Sequence, residues 1–515
     1  MNEFKVQSSK YMNRIFLVSV SLILSATSLI VQGQHTSGDH YLLTLEDVVQ
    51  IAKEQSPQAI QARHQFRASF FSFMDYKAEF LPKLTLTTSP TSWDKSIRTI
   101  ESEKNGVYQT SEVKTNTLTS TAGLALSQNI GLTGGSVSLG SDFTRRQNFL
   151  DSTNRATAFT TNPIRFSISQ PLNGYNKFRW LRQIEPLRYE EAKQRYIVQM
   201  EYVASRAVNY FFVLAIAKVN LNQAKTNYEN QTTLYEIANG RYEIGVLAED
   251  QLLQVKLRYM QSESKLNTAG IRIESSLNQL RSFLGFTDNV QIELVNPSPE
   301  VPSFNVPYEE ALNLALTRNP DIISYNRQIL DAERQVAQAK SQTGITLDLN
   351  ASFGMNKTGY AFNDAYSPRF DDREGVSLRI NVPILDWNQT RNRYRQAQSN
   401  LEVTQAQMQQ QETDFKQEVF LQVMKFNMQK DQLRIAAMAD TIAQKSYDIS
   451  YARYMTGRGD ITVLNLADAA KDEAKASYMG ELNEYWNLYY LIRRLTLFDF
   501  LNNKELEEDF DKITD

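Results

Sequence analysis

The sequence contains no cysteine in 515 residues. That excludes disulfides, thiolate metal sites, cysteine nucleophiles and lipid attachment through an N-terminal cysteine. Histidine is almost as scarce: the three are His35, His40 and His64, all near the N-terminus. A histidine-based metal centre or catalytic triad is therefore not expected, and no cofactor is expected either. The formal net charge of −3 leaves no basic excess to neutralise phosphates, so no nucleic-acid partner is expected. Only one long apolar run is present, from Ile15 to Val31 behind Arg14, with Gly33 offering a cleavage point. Residues 1–33 read as an export signal. After it, no stretch approaches the ~20 apolar residues of a membrane-spanning helix, so any membrane crossing is expected to be made by strands.

What the chain does have is internal repetition. Leu45–Ala52 followed by Ser56-Pro57 resembles Tyr308–Ala315 followed by Asn319-Pro320. Ser169-Gln170-Pro171-Leu172 resembles Asn381-Val382-Pro383-Ile384, and Arg241-Tyr242-Glu243-Ile244-Gly245 resembles Arg453-Tyr454-Met455-Thr456-Gly457. The last two pairs share one spacing of 212 residues (171 to 383, 242 to 454), whereas the first is spaced by 263 (57 to 320). The pattern predicts two tandem copies of one unit, with about 51 extra residues in the first copy. The copies are placed at 34–296 and 307–502. A proline-rich linker at 297–306 separates them, and residues 503–515 read as a frayed acidic tail.

Each copy is predicted to open with a short amphipathic helix and a polar region holding alternating segments. From Ile345, the residues Leu347, Leu349, Ala351 and Phe353 alternate with Thr346, Asp348, Asn350 and Ser352. Leu378, Ile380, Val382 and Ile384 repeat the pattern, as do Leu84 and Leu86, and Phe166 and Ile168. A period of two is the strand signal. It fits a soluble sandwich, with the apolar face on a core, and equally a barrel, with the apolar face on lipid. Four strands, two per copy, are expected, spanning 345–384 in the second copy. The region 91–160 is expected to be an extended loop that holds, from Gly123 to Phe143, a hairpin turn at Thr133-Gly134-Gly135 between two alternating runs. Four strands cannot close a barrel alone, so several chains would have to share it.

Long helices follow the strands. Nothing is expected to break helix between Asn176 and Gly240 or between Asn388 and Thr456. In the first, Val203, Ala207, Tyr210, Leu214, Ala217, Leu221 and Ala224 form a heptad stripe. Glycines at 245 and 457 are suited to end these helices, and return helices from Glu249 to Leu284 and from Ile461 to Leu501 would complete hairpins at 176–285 and 388–501.

A duplicated unit of two strands and a long helical hairpin behind an export signal resembles the TolC family of outer-membrane channels. The resemblance rests on the two Arg-Tyr-x-x-Gly turns, the Ser-Gln-Pro-Leu and Asn-Val-Pro-Ile-Leu strand-to-helix junctions and their common spacing, and it covers roughly residues 42–500. It implies a mixed α/β membrane protein in which three chains of four strands close a 12-strand barrel in outer-membrane lipid, continued by a helical periplasmic barrel. Thr346, Asp348, Asn350 and Ser352 would then face the wet lumen. The partners implied are two further copies in a homotrimer, a periplasmic adaptor protein and an inner-membrane efflux or secretion pump. The resemblance places the periplasmic entrance at the hairpin tips, with Tyr242, Gly245, Glu249 and Asp250 from one copy and Tyr454, Gly457, Arg458 and Asp460 from the other. Arg458 stands one place earlier than the family's arginine. Val463, Asn465 and Leu466 occupy the stretch where its acidic ring lies, so the closing pairs are not carried over. The competing readings are a coiled-coil surface protein with adhesive loops, suggested by the extra residues and Arg458-Gly459-Asp460, and a carboxylate-dependent hydrolase, which no pocket-forming motif supports.

Overall fold

A computed structural model describes residues 40–104, 107–149, 155–286, 290–295, 301–456 and 458–514. The export signal, His35 and Gly457 lie outside the described residues. The chain opens with strand β1 (His40–Leu43), then helix α1 (Leu45–Gln55) and helix α2 (Pro57–Ala78). Four strands follow: β2 (Lys83–Lys104), β3 (Val107–Asn129), β4 (Ser136–Phe149) and β5 (Arg155–Pro171). The long helix α3 (Lys177–Glu243) turns into α4 (Glu249–Leu284), and β6 (Gln291–Leu294) pairs in parallel with β1. The series then recurs: α5 (Tyr308–Arg318), α6 (Pro320–Ser341), β7 (Thr346–Gly359), β8 (Asp371–Asn381), α7 (Gln389–Met455) and α8 (Ile461–Thr496).

Corresponding helices have equal lengths. α1 and α5 both have 11 residues, α2 and α6 both 22, α3 and α7 both 67, α4 and α8 both 36. Their starts are built alike. Ser56 accepts from the Ala59 N–H and Asn319 from the Asp321 N–H, each just before a proline at the first helical position. There the missing N–H costs nothing and the fixed φ suits the helix. At about 1.5 Å per residue the 67-residue helices are roughly 100 Å long, far beyond what one globular core can cover.

The core sits around the middle of these helices. Phe211 and Phe212 of α3 are fully buried among Leu280 and Leu284 of α4, Val423 and Phe426 of α7, and Leu482 and Tyr485 of α8. α1, α5 and the β1–β6 pair wrap the same level, so the belt is thickest where all the elements overlap. A window of α3 is apolar enough to pass for a membrane span, against the expectation that nothing else would, but half of that window is buried in this core.

Three further expectations need correcting. Residues 91–160 are not an extended loop: they form most of β2, all of β3 and β4, and the start of β5. Among the described residues this sheet therefore holds six strands rather than four, in the order β2-β3-β4-β5-β7-β8. The apolar positions of β3 and β4 are diluted by Thr, Ser, Ala and Gly, which hid two strands inside a polar region. Pro186 lies inside α3, yet the helix runs unbroken from Lys177 to Glu243, as expected. α8 ends at Thr496 rather than Leu501, because Leu497 turns into the left-handed region at φ 52°. Nor is the acidic tail frayed: β9 (Phe498–Asp499) pairs with β10 (Lys504–Glu505), Glu505 pairs with Arg318, and α9 (Phe510–Thr514) seats the Phe510 ring 5.0 Å from that of Phe66.

Asn176 couples the sheet to the helices. Its side-chain oxygen caps α3 by accepting from the Phe178 and Arg179 N–H groups, while its amide donates to the Leu132 carbonyl at 2.9 Å. One side chain thus holds the helix start against the β3–β4 turn. Replacing Asn176 with Ala removes both, and a helix cap alone is worth about 1 kcal/mol. Asn176→Ala is expected to lower the thermal unfolding midpoint, whereas Asn176→Asp keeps the cap and loses only the donor to Leu132. Equal midpoints for Asn176→Ala and the parent would contradict this coupling.

Candidate functional site

Two regions are candidates: the sheet and the hairpin tips. The sheet's register sorts its residues by face. Leu84 stands opposite Leu126, Leu126 opposite Leu139, Leu139 opposite Phe166 and Phe166 opposite Phe353. Leu349 opposite Leu378 and Leu347 opposite Ile380 carry the same face to the far edge. This face is an apolar band that reaches all six strands, with Glu374 of β8 opposite Phe353 at its edge, and Leu84, Leu126, Leu139, Phe353, Leu378 and Ile380 are exposed on it. From Leu347 to Met355 the band runs about 26 Å along β7.

The opposite face is polar and small. Thr85 lies opposite Ala125, Ala125 opposite Gly140, Ser127 opposite Ser138 and Ser138 opposite Ser167. Ser167 opposite Ser352, Asn350 opposite Ser377 and Asp348 opposite Arg379 complete it. All four of Thr346, Asp348, Asn350 and Ser352 fall on this polar face. Higher on the sheet the same face carries Asp142, which accepts from Asn162 at 2.6 Å and pairs with Arg165 at 3.1 Å. Among the described residues both edges of the sheet, β2 and β8, lack a neighbour along one side.

At the other end, the α3–α4 and α7–α8 turns lie side by side over a small apolar cluster of Leu234, Ala238, Val255, Tyr454 and Leu464. Gly245 takes φ +74°, a conformation that glycine adopts without strain, and its N–H donates to the Tyr242 carbonyl. Tyr242 is exposed, and Glu249 and Asp250 stand in the first turn of α4, where carboxylates suit the helix dipole. Tyr454 is buried, and burial pushes its hydroxyl pKa up. Asp460 caps α8 by accepting from the Thr462 N–H at 2.7 Å, and the Arg458 N–H donates to the Arg453 carbonyl. Among the described residues no ion pair joins the two turns.

The contact that does join them was missed from the sequence: the Arg241 guanidinium lies 5.9 Å from the centre of the Tyr454 ring. It was available there, since Arg241 opens the same Arg-Tyr-x-x-Gly motif as Tyr242. A second missed group lies further along the helices. Lys471 is buried with Nζ 3.8 Å from the Tyr447 ring centre and 2.8 Å from Asp468. Asn227 of α3 accepts from the same ammonium at 3.2 Å, and Gln223 of α3 donates to Asp472, whose pKa burial raises. These contacts bind the first hairpin to the second. No group of three or more His, Asp or Glu among the described residues is arranged to hold a metal ion.

Comparison with known proteins follows the same lines. A family profile described as outer membrane efflux protein matches residues 311–485. Outer membrane protein TolC of Salmonella enteritidis is 23% identical over 389 residues, covering 70% of this chain and 75% of that protein. The alkaline protease secretion protein AprF of Pseudomonas aeruginosa is 22% identical over 46% of this chain and 49% of its own length. Among solved structures, the Campylobacter jejuni CmeC outer membrane channel superposes with a TM-score of 0.64 at 16% identity, over 91% of this chain and 88% of that one. VceC of Vibrio cholerae gives 0.60 at 14% identity, over 90% and 97%.

Proposed function

We infer from its membership of the TolC family of outer-membrane efflux proteins that this chain, an outer-membrane protein, is one protomer of a trimeric channel that runs through that membrane and on into the periplasm. The observation that carries the reading is the pair of open edges on a sheet whose one face is an apolar band. In lipid an unpaired strand edge costs several kcal/mol for each exposed backbone group, so β2 and β8 must find partners. Copies of the same chain supply them. The equal lengths of corresponding helices support a tandem origin, and two hairpins per chain would give a ring of six hairpins in a trimer.

Export through such a conduit requires no catalytic group in the chain, and energy would come from an inner-membrane pump reached through a periplasmic adaptor at the hairpin tips. Thr346, Asp348, Asn350 and Ser352 would line the lumen. Purified protein reconstituted in a planar bilayer is expected to give stable ion-conducting channels. A preparation that remains in the outer-membrane fraction but never conducts would sink the conduit reading.

The entrance is proposed to be held by the arginine–tyrosine stacking at the tips. Within one chain Arg241 of the first hairpin meets Tyr454 of the second. The equivalent residues, Arg453 and Tyr242, are both exposed. In a ring of alternating hairpins, Arg453 would meet Tyr242 of the next copy. Cation–π contacts of this kind are worth about 0.5–1 kcal/mol each at exposed sites and more when desolvated. Arg241→Ala combined with Arg453→Ala is expected to raise single-channel conductance, and either change alone to raise it less. Unchanged conductance in the double variant would place the constriction elsewhere.

A further inference from the structure

We propose that each chain builds three adjacent hairpins of the barrel wall instead of two, so that three chains close an 18-strand barrel with the β3–β4 hairpin as an integral part of the lipid-facing wall. The proposal rests on the channel reading above and goes beyond it in the size and composition of the pore. Six strands per chain follow from the sheet order, in which β3 and β4 stand between β2 and β5. Among the described residues β2 and β5 do not pair, so the inserted hairpin does not hang off a narrower wall.

Three independent features place β3 and β4 in the wall. The first is face continuity. Leu124 and Leu126 of β3 and Val137 and Leu139 of β4 fall on the same face as Leu84, Phe166 and Leu349, while Ala125 and Ser138 fall with Asn350. A hairpin folded into the lumen or out over the surface would have no reason to keep this alternation in step with its neighbours.

The second is polarity. All neighbouring pairs in the six-strand sheet are antiparallel. β2 therefore runs away from the helices and β8 runs back toward them. Inserting two strands keeps the count even, so the β8 edge of one copy still meets the β2 edge of the next antiparallel. An insertion of one strand would have ended that closure.

The third is anchoring at the base. The β3–β4 turn is tied to the helix junction by Asn176, while Gln170 donates to the Thr133 carbonyl at 3.0 Å. Gly134 takes φ +82°, and a Cβ added to Gly135 would stand 2.7 Å from the Ser169 carbonyl oxygen. The turn is packed against the rim at a distance that only glycine allows.

Barrel diameter grows roughly in proportion to strand number, and barrels of 16–18 strands leave an aqueous channel. Eighteen strands would make this wall about one and a half times as wide as twelve. The inserted strands line it at mid-height with Gly123, Ala125, Ser127, Ser138 and Gly140, which are small and uncharged. The pore would be wide there, with charge carried above and below by Lys83, Asp142, Arg146, Arg165, Asp348, Arg373 and Arg379 on the same face. β2 and β3 also continue past β4 as a two-stranded ribbon from Lys95 to Lys104 and Val107 to Asn116, about 34 Å of chain beyond the wall.

The absence of cysteine makes the test direct, since any introduced thiol is the only one present. Single Cys variants at Leu126, Leu139, Ala125 and Ser138, with Leu349 and Asn350 as references, are labelled in outer membranes with a charged water-soluble maleimide and, separately, with a maleimide that partitions into lipid. Leu126→Cys and Leu139→Cys are expected to behave like Leu349→Cys, protected from the charged reagent and modified by the lipid-soluble one. Ala125→Cys and Ser138→Cys are expected to react with the charged reagent as Asn350→Cys does. If Leu349→Cys is lipid-facing but Leu126→Cys and Leu139→Cys react from water, the 18-strand wall is overturned and the channel stands. If Leu349→Cys also reacts from water, the channel reading itself has failed.

Discussion

Replacing Arg493 with alanine is expected to destabilise the fold by about 3–5 kcal/mol, the usual cost of stripping one partner from a buried charge network. Arg493 forms two hydrogen bonds to Glu201, Nε to Oε2 at 2.8 Å and Nη2 to Oε1 at 3.2 Å. Its third nitrogen reaches Asp499 at 2.8 Å and Tyr489 at 3.0 Å. The side chains of Glu201 and Asp499 are only 3% and 6% exposed, so neither would find water once the guanidinium is gone. Lys53 of α1, 2.6 Å from Glu201, would compensate in part. Although burial pushes its pKa up, Asp499 is held below the usual carboxylate range by the Tyr489 hydroxyl and the Arg493 charge. Because this network ties α1 and α3 of the first half to α8 and the C-terminal turn of the second, its loss loosens the belt that holds the halves together. Arg493→Lys is expected to fall between, since an ammonium cannot bridge both carboxylates in the planar, bidentate way. Thermal unfolding followed by helical circular dichroism reads the effect. A midpoint in Arg493→Ala equal to the parent's would contradict the account of the belt.

Arginine placed at Leu349 is expected to abolish assembly in the outer membrane, while arginine at the adjacent Asn350 leaves it intact. A charge on the lipid face near mid-membrane costs about 2–4 kcal/mol per site, and a trimer would bear it three times. On the polar face the same side chain meets water and should alter ion selectivity rather than folding. The contrast is informative because the two positions are neighbours in sequence and share one strand. The amount of oligomer recovered from outer membranes measures it. Equal recovery of Leu349→Arg and Asn350→Arg would mean that the apolar band does not face lipid.

The helices were the more legible part of the sequence. α4 spans Glu249–Leu284 as expected because Gly285, at φ +77°, stops it and acidic residues open it. α1, α2, α5 and α6 announce themselves through Ser56-Pro57 and Asn319-Pro320. The sheet was legible where large aliphatic residues alternate with plainly polar ones, as in β7, and obscure where Ala, Gly and Ser fill the inward positions, as along β3 and β4. A barrel strand needs only enough apolar surface to meet lipid, so its signal per segment is weak. The turn at Thr133-Gly134-Gly135 was nevertheless visible, as were about 51 extra residues. The alternating runs beside that turn were legible as a hairpin within a loop, but not as two further strands of the sheet. The acidity of the last residues hid the packing signal of Phe510 and Ile513, spaced three apart on one helical face.

Contacts between hairpins were the least legible. Arg241 over Tyr454 and Lys471 on Asn227 join residues more than two hundred positions apart in the chain. The first lies across two copies of one motif and could have been suspected from it. The second depends on a lysine buried between helices, and nothing in its local sequence distinguishes it from the exposed lysines along α7 and α8.

The central claim is that several copies of this chain share one barrel, and the mass of the protein extracted by mild detergent from isolated outer membranes tests it most directly. Light scattering corrected for bound detergent should give three times the mass of the mature chain, with no monomer folded in the membrane fraction. A monomer in that fraction would leave β2 and β8 with open edges in lipid, and the account of the barrel would be wrong.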